Sequence, residues 1–409
     1  METQLPGDMV SFIEHAGQAT AGLGQRLFMV GGVVRDLLLG RPTFDLDLVV
    51  EGDAIALAEV LAAEPRAKVT VHPAFNTAKL HWESWSVDIA SARSETYSRP
   101  GALPTVREGT LQTDLFRRDF TINAMAVELT SGHYGDLIDL HGGQADLRKR
   151  AIRVLHPMSF TDDATRIWRA IRYEQRLSFH LEPGTQGLLV RDVPMLATIS
   201  GDRIRHELEA VLKEDRPETM LRRAFDLGVL ARLHGSPTAD AWLTRKFRQA
   251  RDLKDAGPLE TLYLALLTYK LSFEDTSLLT SYLNLPRLQA RVLEETLDLK
   301  AKLGRLTERR LKPSQIYGLL EGLSPAAITA NQLATDSRLV RRRINLYLND
   351  LRHTRPALTG DDLVKMGIPP GPTLKRMLRV LLEARLDSTV RTTEEEIQLA
   401  KRLRAADHS

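Results

Sequence analysis

Hydrophobic and polar residues in the first quarter of the chain follow two different periods. Residues 27–30 are a short apolar run that ends at a glycine pair, and residues 33–39 carry apolar side chains at helical spacing. Residues 44–50 then run apolar around two aspartates. Short apolar runs bounded by glycine indicate strands, whereas apolar residues three and four positions apart indicate a helix. The stretch 27–53 is therefore predicted to form a strand, a glycine turn, a helix and a second strand.

The same patterning predicts the elements on either side of this stretch. Residues 1–25 and 54–63 have the spacing of helices, and three short alternating runs within residues 68–90 are typical of half-buried strands. Residues 91–114 have no periodicity and contain prolines and glycines, which predicts a mobile loop. In residues 178–409 almost all apolar positions have helical spacing, so we expect helices and no strands there.

Asp45 and Asp47 are the centre of the stretch 27–53. On a strand they point to the same face, roughly 6.7 Å apart. At an effective dielectric constant of ~20, two negative charges at that distance repel by about 2.5 kcal/mol. A bare pair of this kind is usually a solvated strand edge, but Leu46 and Leu48 indicate a buried strand, where unpaired acids are costly. Because Mg²⁺ prefers carboxylate oxygens and keeps positions open for phosphates, the pair is a candidate metal site.

Gly31 and Gly32 precede the predicted helix. Their backbone N–H groups are not obstructed by side chains and lie at the positive end of the helix dipole, which suits phosphate binding. A glycine pair alone is usually a turn. Here Arg35, Asp36 and the two strand aspartates follow closely, which makes the combination specific.

Composition limits the chemistry further. The 409 residues contain no cysteine, which excludes disulfides, thiolate metal sites and thiol nucleophiles. The sequence has no apolar run of membrane-spanning length and no signal-type start, so we expect a soluble, cytoplasmic protein with no membrane partner. A net charge of +3 and a pI near 9.0 permit an RNA partner without indicating one.

The runs GGVVRDLLLG and FDLDLVVEGD together resemble the class II tRNA nucleotidyltransferase and poly(A) polymerase family, part of the polymerase-β-like nucleotidyltransferase superfamily. The resemblance implies that Asp45 and Asp47 are catalytic and hold two Mg²⁺ ions. It also implies that the nucleotide is bound by Gly31, Gly32 and Arg35.

The resemblance supports three further residues in the head of the protein. The superfamily often has a third carboxylate on a neighbouring strand, which makes Asp88 an accessory catalytic acid; a plain surface aspartate is an equally good interpretation. RRDFTINAMAVEL resembles the second family motif, and the bidentate geometry of arginine makes Arg118 the expected triphosphate clamp. Asp119 is expected to accept a hydrogen bond from the ribose. The DxxGG turn that begins at Asp139 is expected to be structural.

TDDATRIWRAIR stands where the family carries EDxxR, the amino-acid template that reads the incoming base. On a predicted helix, Asp163 and Arg166 are three residues apart and share a face, which Arg169 and Arg172 continue. Without the resemblance, an ordinary helix with an internal salt bridge is the better interpretation. The resemblance makes these four residues nucleotide-binding. Asp162 replaces the glutamate of the family pattern.

Hydrogen-bond polarity explains what such a template would accept. Adenine and cytosine present an amine donor beside a ring-nitrogen acceptor, so a carboxylate and a guanidinium satisfy both. Guanine and uracil present the opposite order and leave buried polar groups unpaired, at roughly 1 to 3 kcal/mol each. ATP and CTP should therefore be accepted, and GTP and UTP refused.

The resemblance covers nearly the whole chain and implies an α+β fold. We expect a nucleotidyltransferase head with a small mixed β-sheet and helices at residues 1–145. An all-α neck for base recognition (146–205), a body (206–345) and a tail (346–409) should follow. The implied partners are tRNA, bound through its acceptor stem and elbow, and ATP, with CTP as a second nucleotide if the enzyme also adds cytidine. No obligate protein partner is expected.

Basic clusters in the second half are further candidates for RNA contact. Such clusters could follow an RNA backbone, although charge runs are more often solvated faces. They comprise Arg309, Arg310 and Lys312 and, further on, Arg338, Arg341, Arg342 and Arg343.

The details of the motifs most resemble the bacterial A-adding branch, which completes a tRNA that already ends in CC. The flexible loop expected at residues 91–114 counts against an enzyme that adds only the two cytidines. A single enzyme that builds all of CCA is the main alternative, and a poly(A) polymerase is the next. A catalytically inactive RNA-binding protein is the alternative of a different class, against which the intact acids and Arg118 weigh.

Overall fold

A computed structural model describes residues 5–42, 45–62, 67–82, 85–253 and 258–407. Parts of two predicted helices (residues 1–4 and 63) and the first residue of a predicted strand (residue 44) lie outside these ranges. The chain divides into two compact units, Met1–Arg232 and Leu233–Ser409. The four-part division into head, neck, body and tail stays a prediction.

The strands lie in the first unit. In chain order, the described strands are β1 (Arg26–Val30), β2 (Asp45–Glu51), β3 (Lys68–His72), β4 (Thr77–His81), β5 (Ser86–Ser91), β6 (Arg93–Thr96), β7 (Thr105–Glu108), β8 (Ala126–Glu128), β9 (Leu137–Ile138), β10 (Ala151–Ile152) and β11 (His180–Leu181).

Within the described part of the chain, seven of these strands form one mixed sheet in the order β3-β4-β5-β2-β1-β8-β9. Strands β2 and β5 are parallel, and β2 pairs with β1 in the antiparallel sense. Leu46 and Leu48 are buried on one face of β2, while Asp45 and Asp47 lie on the opposite, solvent-accessible face. The prediction that the acids share a face is confirmed. Their burial, inferred from the apolar neighbours, is wrong because those neighbours occupy the other face.

Helices surround the sheet. The described helices of the first unit are α1 (Gly7–Gly22), α2 (Gly32–Leu38), α3 (Ala54–Leu61), α4 (Leu111–Phe116), α5 (Gly143–Lys149), α6 (Ser159–Asp162), α7 (Thr165–Leu177), α8 (Pro183–Asp192), α9 (Gly201–Leu212) and α10 (Pro217–Asp226).

Helix α4 determines where the acid face is open. Val49 continues the face of Asp45 and Asp47 and is buried in a cluster with Leu111 and Leu115 of α4. Helix α3 packs against β4 and β5. The core therefore covers the C-terminal part of β2 and leaves the carboxylates of Asp45 and Asp47, in its N-terminal part, accessible to solvent.

Residues 91–114 are more regular than the sequence predicts. Strands β6 and β7 form an antiparallel hairpin, from the pair Arg93–Glu108 to the pair Thr96–Thr105, and α4 begins at Leu111. The predicted structureless loop is wrong because both strands, RSET and TVRE, are largely polar on both faces and lack an apolar alternation.

The expectation of no strands after residue 178 is also wrong. Strand β11 pairs in parallel with β10, with Ala151 opposite His180 and Ile152 opposite Leu181. The predicted neck is therefore not all-α. A strand of two residues is too short to show a period, which is why the sequence pattern misses it.

The second unit is helical in its described residues. Its helices are α11 (Ala241–Arg251), α12 (Leu259–Thr268), α13 (Phe273–Tyr282), α14 (Arg287–Lys302), α15 (Pro313–Leu320), α16 (Pro325–Ala334), α17 (Arg338–Asn349), α18 (Gly360–Lys365), α19 (Pro372–Leu386) and α20 (Thr393–Asp407).

Among the described residues of the second unit, two apolar clusters join the helices from α14 onwards. One joins α14 to α17 with the end of α19, and the other joins α18, α19 and α20 around Leu363, Leu381 and Ala400. Across the described ranges, no helix combines the length and apolar character that crossing a membrane requires. The α+β fold class predicted from the sequence is confirmed, apart from the short strand pair.

Candidate active site

A cavity of about 480 Å³ lies against the acid face of β2. It is lined by residues of the glycine turn, the β6–β7 hairpin, the segment after α4, and helices α7 and α9. These are Gly31, Gly32, Asp47, Glu95, Tyr97, Pro104, Arg117, Arg118, Asp119, Asn123, Asp163, Arg166, Arg169, Tyr173 and Arg203.

Three carboxylates meet on adjacent strands at one end of this cavity. Asp88 of β5 lies directly beside Asp47 in the parallel register, and Asp47 is the one of the three that lines the cavity; the accessory catalytic role of Asp88 stays a prediction. Ser86 Oγ donates to Asp45 Oδ1 at 3.3 Å, and Lys79 Nζ donates to Asp88 Oδ2 at 2.9 Å. Reduced hydration raises the pKa of Asp47 above its usual range; the charges of Asp88 and Asp45 add to this, and Arg118 opposes it.

These acids fit a divalent cation that binds together with a nucleotide. In the described ranges no three His, Cys, Asp or Glu side chains are arranged to hold a metal by themselves. Mg²⁺ in phosphoryl-transfer sites needs only one or two protein carboxylates, since water and substrate phosphates supply the remaining oxygens. Asp45 and Asp47 provide that set, and the mutual repulsion of the acids favours a cation there.

Gly31 and Arg118 form the wall beside Asp47. Gly31 has a φ of 79°, and a Cβ at this position would lie 2.7 Å from Arg118 Nη1 and 3.8 Å from Asp47 Oδ2. Only glycine tolerates both the backbone angle and the close approach. The Gly31 N–H donates to the Met125 carbonyl at 3.2 Å, so the prediction that it is free for phosphate is wrong.

Asp114 of α4 aims Arg118 at the cavity. The carboxylate is completely buried and accepts hydrogen bonds from Arg118 Nη2 at 2.9 Å and from Arg117 Nη2 at 2.6 Å. Burial alone would raise the pKa of Asp114, but the two arginines outweigh it and hold that pKa below its usual value. The anchored Arg118 guanidinium keeps Nη1 directed towards Gly31 and Asp47.

Arg35 does not line the cavity. Its side chain is buried, pairs with Asp36 at 2.8 Å and donates to Asn123 Oδ1 at 2.7 Å. The structure therefore places this predicted phosphate ligand in a supporting position behind the glycine turn. Asn123 in turn donates to Asp119, so Arg35 acts on the cavity through its neighbours.

Asp119, which is buried, pairs with the partly exposed Arg169 in the cavity wall. Arg169 Nη2 lies 2.7 Å from Asp119 Oδ2, and Asn123 Nδ2 donates to Asp119 Oδ1 at 2.9 Å. Burial would raise the pKa of Asp119, yet Arg169 and Asn123 keep it lowered, so the group is ionised at neutral pH. A charged acceptor of this kind suits a ribose hydroxyl.

Asp163 and Arg166 both line the cavity, as predicted, but they do not share a helix. Asp163 follows α6 with φ −139° and ψ 99°, and α7 begins at Thr165. The Asp163 carboxylate accepts from Thr165 N at 3.0 Å and Thr165 Oγ1 at 2.7 Å. An aspartate that bonds the backbone two residues ahead competes with helix formation, which explains the break inside TDDATR.

Arg166 is buried, and two of its donors are already used. Nη2 donates to the Arg117 carbonyl at 2.7 Å and Nη1 to the Ser159 carbonyl at 3.4 Å. A guanidinium has five N–H donors, so three remain for a base. Arg172, by contrast, does not line the cavity and lies 3.9 Å from Glu207 and 3.7 Å from Glu214.

The structure adds cavity residues that sequence reasoning missed. Arg203 of α9 pairs with Asp163 Oδ1 at 2.7 Å, across 40 positions of sequence, and no local signal predicts this contact. Tyr173 lies seven residues after Arg166 and four after Arg169, so helical spacing alone could have found it. From the hairpin, Glu95 accepts from Tyr97 at 3.0 Å and from Arg117 at 3.2 Å.

A mixed sheet with paired carboxylates beside a glycine turn, an anchored arginine and a polar cavity defines a nucleotidyltransferase head. Residues 27–153 match the poly A polymerase head domain, and residues 178–243 match a probable RNA- and SrmB-binding site of polymerase A. The chain belongs to the class II tRNA nucleotidyltransferase and poly(A) polymerase family, which confirms the resemblance seen in the sequence.

Individual relatives within this family are tRNA nucleotidyltransferases. The chain is similar to an A-adding tRNA nucleotidyltransferase of Halalkalibacterium halodurans, with 33% identity over 98% of this chain and 94% of the relative. It is 37% identical to an A-adding tRNA nucleotidyltransferase of Geobacter sulfurreducens over 98% of this chain, and spans 48% of that longer protein. The Thermotoga maritima CCA-adding enzyme in complex with tRNA superimposes with a TM-score of 0.78, at 30% identity over 98% of this chain and 96% of the other.

Proposed function

We propose that this protein adds the 3′-terminal adenosine to tRNA ending in CC, using ATP, divalent cations and no nucleic-acid template, in the cytoplasm. The observation that carries the proposal is the cavity, which has Asp47 of β2 and the group of Asp163, Arg166 and Arg203 in its lining. A cavity of about 480 Å³ is of the size that holds a small-molecule ligand such as a nucleotide. Likeness to two A-adding relatives over nearly the whole chain supports the choice of product.

Different residues of the cavity contact the triphosphate, the ribose and the base of the nucleotide. Arg118, held by Asp114, faces the triphosphate, and the bare backbone at Gly31 leaves room for it. The ion pair of Asp119 and Arg169 receives the ribose. Asp163 accepts from the base amine and Arg166 donates to the ring nitrogen, which selects adenine and cytosine over guanine and uracil. Arg35 and Arg172 lie outside the cavity and position the side chains that line it.

Asp45 and Asp47 would hold two Mg²⁺ ions, with Asp88 beside them. When bound there, Mg²⁺ lowers the pKa of the RNA 3′-hydroxyl and neutralises charge on the triphosphate. The 3′-oxygen attacks the α-phosphorus in line and pyrophosphate leaves. The protein contributes position and charge stabilisation, as in other phosphoryl transfers.

A single assay tests the proposed product. Three transcripts of one tRNA, ending before CC, after C and after CC, are offered ATP and CTP separately. We expect one adenosine on the transcript ending in CC and poor use of CTP on the other two. Efficient addition of both cytidines would establish the alternative, a full CCA-adding enzyme.

Two other outcomes would overturn the proposal entirely. Long adenosine tails would identify a poly(A) polymerase. No incorporation on any transcript, by a protein that still binds tRNA, would identify an inactive RNA-binding protein.

A further inference from the structure

A second cavity, of about 590 Å³, lies beside the base-reading end of the first. We call it the side chamber. Its own walls include Gln112, Phe116, His141, His156, Met158 and Asp162. Four residues line both cavities: Glu95, Tyr97, Arg117 and Arg166. A ligand in the side chamber therefore lies directly behind residues that face the incoming base.

The side chamber has a surface for stacking. Phe116 is 49% exposed and stacks on His156, with ring centroids 5.1 Å apart and an interplanar angle of 29°. His141 contacts the same ring at 5.9 Å, and Met158 is 50% exposed. A half-exposed phenylalanine and methionine in a concave wall mark a binding surface more often than a packing defect. Aromatic rings of this kind are platforms on which nucleobases stack.

The polar groups of the chamber favour an uncharged ligand with a hydrogen-bonding edge. In the described part of the chain, His141 Nε2 is buried without a hydrogen-bond partner. Asp162 Oδ2 lies 3.9 Å from His156 Nε2. Burial lowers the pKa of both His141 and His156, so the two imidazoles are neutral near pH 7 and each can donate or accept.

Phosphate is a poor fit for this chamber. Of the lining residues that the structure describes, Arg117 and Arg166 are the cations. Arg117 is paired with Asp114 and Glu95, and Arg166 donates to two backbone carbonyls. A free nucleoside triphosphate would therefore gain little from charge here. A base that is part of an RNA chain has its phosphates outside and needs only the stacking surface and the polar edge.

We propose that the side chamber binds one of the two unpaired cytosines at the 3′ end of the acceptor RNA. Cytosine stacks on Phe116, offers its amine to Asp162, and presents acceptors to His141 and Gln112. This inference rests on the proposed function and extends it. An enzyme that adds one adenosine must recognise an acceptor already ending in cytosine, and the chamber supplies a place next to the incoming nucleotide where that base is read.

Fluorescence of a cytosine analogue tests binding without catalysis. Two tRNA transcripts ending in CC carry pyrrolocytosine at the last or at the penultimate position. We expect the full-length protein to quench one of them on binding, because stacking on an aromatic ring quenches this base. Phe116→Leu keeps the apolar volume and should abolish that quenching. Phe75→Leu, at a phenylalanine that is 57% exposed elsewhere in the same unit, should retain it.

Kinetics supply the second measurement. Phe116→Leu should raise the KM for tRNA ending in CC by about tenfold, the size of one lost base–aromatic stack. The same variant should leave the KM for ATP unchanged. With an acceptor that has an abasic residue in place of the quenched cytosine, wild type and Phe116→Leu should have the same KM.

The outcomes separate this inference from the proposed function. If the wild-type protein does not transfer adenosine to tRNA ending in CC, the proposed function fails. If it does, but neither analogue is quenched, or Phe116→Leu weakens the intact and abasic acceptors equally, only the side chamber is refuted. A change confined to the KM for ATP would make the chamber an extension of the nucleotide pocket and also overturn the inference.

Discussion

Asp163 shows how a single side chain can be set by a residue far away in sequence. Three donors converge on its Oδ1: Thr165 N, Thr165 Oγ1 and Arg203 Nη2. Arg203 is itself only 25% exposed in its side chain, so the pair is poorly screened by water. The carboxylate therefore has one orientation, which a base-reading group needs in order to discriminate by hydrogen-bond polarity.

Replacing Arg203 should weaken base selection more than folding. Arg203→Gln removes the charge that fixes Asp163, and a charge-assisted hydrogen bond contributes roughly 1.5 to 3 kcal/mol. We expect kcat/KM for ATP to fall by about tenfold or more, and the preference for ATP over GTP to narrow. Single-nucleotide incorporation with each of the four triphosphates measures both quantities.

Arg222 supplies the matched control for Arg203. Arg222→Gln breaks an ion pair with Asp226 in which both partners are about half exposed, and should leave selection unchanged. An Arg203→Gln enzyme that is slower but equally selective would show that Arg203 does not act through Asp163.

Asp47 should be essential for transfer and unfavourable for stability. Although Asp47 is accessible to solvent, reduced hydration of its carboxyl and the charges of Asp88 and Asp45 raise its pKa, so its negative charge is unfavourable in the folded protein. Asp47→Asn removes a metal ligand, and because losing even a supporting group costs 10- to 100-fold, activity should fall by at least about a hundredfold. Thermal unfolding should occur at the same or a higher temperature. The exposed Glu108→Gln is the control, and turnover retained by Asp47→Asn would contradict the metal assignment.

The residues that the sequence predicted correctly are those whose partners are close along the chain. Asp45 and Asp47 share a face because strands alternate, and Arg118 lines the cavity, while its role as the triphosphate clamp stays a prediction. Arg35 was expected at the phosphates but does not line the cavity, and no local pattern shows that Asn123, 88 positions away, accepts a hydrogen bond from it. Arg203 was missed for the same reason, because its partner is brought near only by the packing of α9 against α7.

Elements were predictable where one of their faces is buried. Strands β4 and β5 place apolar side chains against the core and were found as expected, and β3 was found from the alternation of its sequence although none of its residues is buried. The β6–β7 hairpin and the pair β10–β11 were missed, since neither has a periodic apolar face long enough to detect. The break between α6 and α7 was missed because an aspartate that caps a helix looks, in sequence, like one within it.

Helix α4 links the core to the phosphate end of the cavity through Asp114. Asp114→Asn leaves the guanidinium groups of Arg117 and Arg118 without their charged acceptor. Removing one partner of a buried ion pair while retaining a neutral acceptor should cost about 2 to 4 kcal/mol in the free energy of unfolding. Arg118 would also lose its anchor, so the KM for ATP should rise.

The cost of Asp114→Asn should depend on pH. The pKa of Asp114 is lower in the folded protein than in the unfolded chain, so its contribution is complete above about pH 4 and is lost as the pH falls through the folded value. Urea unfolding of both proteins should therefore show a wide gap at pH 7 that narrows in acid. Asp226→Asn, at an exposed ion pair, should show a small gap at every pH. A gap for Asp114→Asn that does not narrow would mean that its charge is not the cause.

At the scale of the whole chain, the motifs that contain Asp45, Asp47, Arg118, Asp163 and Arg166 all lie in the first unit. The sequence did not establish how the helices of the second unit pack, because amphipathic helices of similar length have many compatible arrangements. The four predicted domains, with their three boundaries, stay a prediction beside the two compact units. For the second unit, the charged residues predict more about RNA binding than the helix packing does.

The basic cluster of Arg309, Arg310 and Lys312 should contribute to RNA affinity, whereas Arg343 should not. The first three residues are exposed, but Arg343 is 8% exposed and donates to the Leu306 carbonyl at 2.7 Å. Each phosphate contact adds about 0.7 to 0.9 to the slope of log affinity against log salt. The double variant Arg309→Ala with Arg310→Ala should therefore weaken tRNA binding and lower that slope by about 1 to 2.

Two controls make the salt measurement decisive. Lys68→Ala with Lys149→Ala removes the same charge from exposed sites of the first unit that lie outside the matched RNA-binding residues 178–243, and should leave the slope unchanged. Arg343→Ala should reduce thermal stability, because it leaves a buried carbonyl unpaired at roughly 1 to 3 kcal/mol, without changing the slope. Filter binding between about 50 and 200 mM salt measures the slopes. Equal slopes for the wild type and the double variant would show that this cluster is a solvated face and not part of the RNA interface.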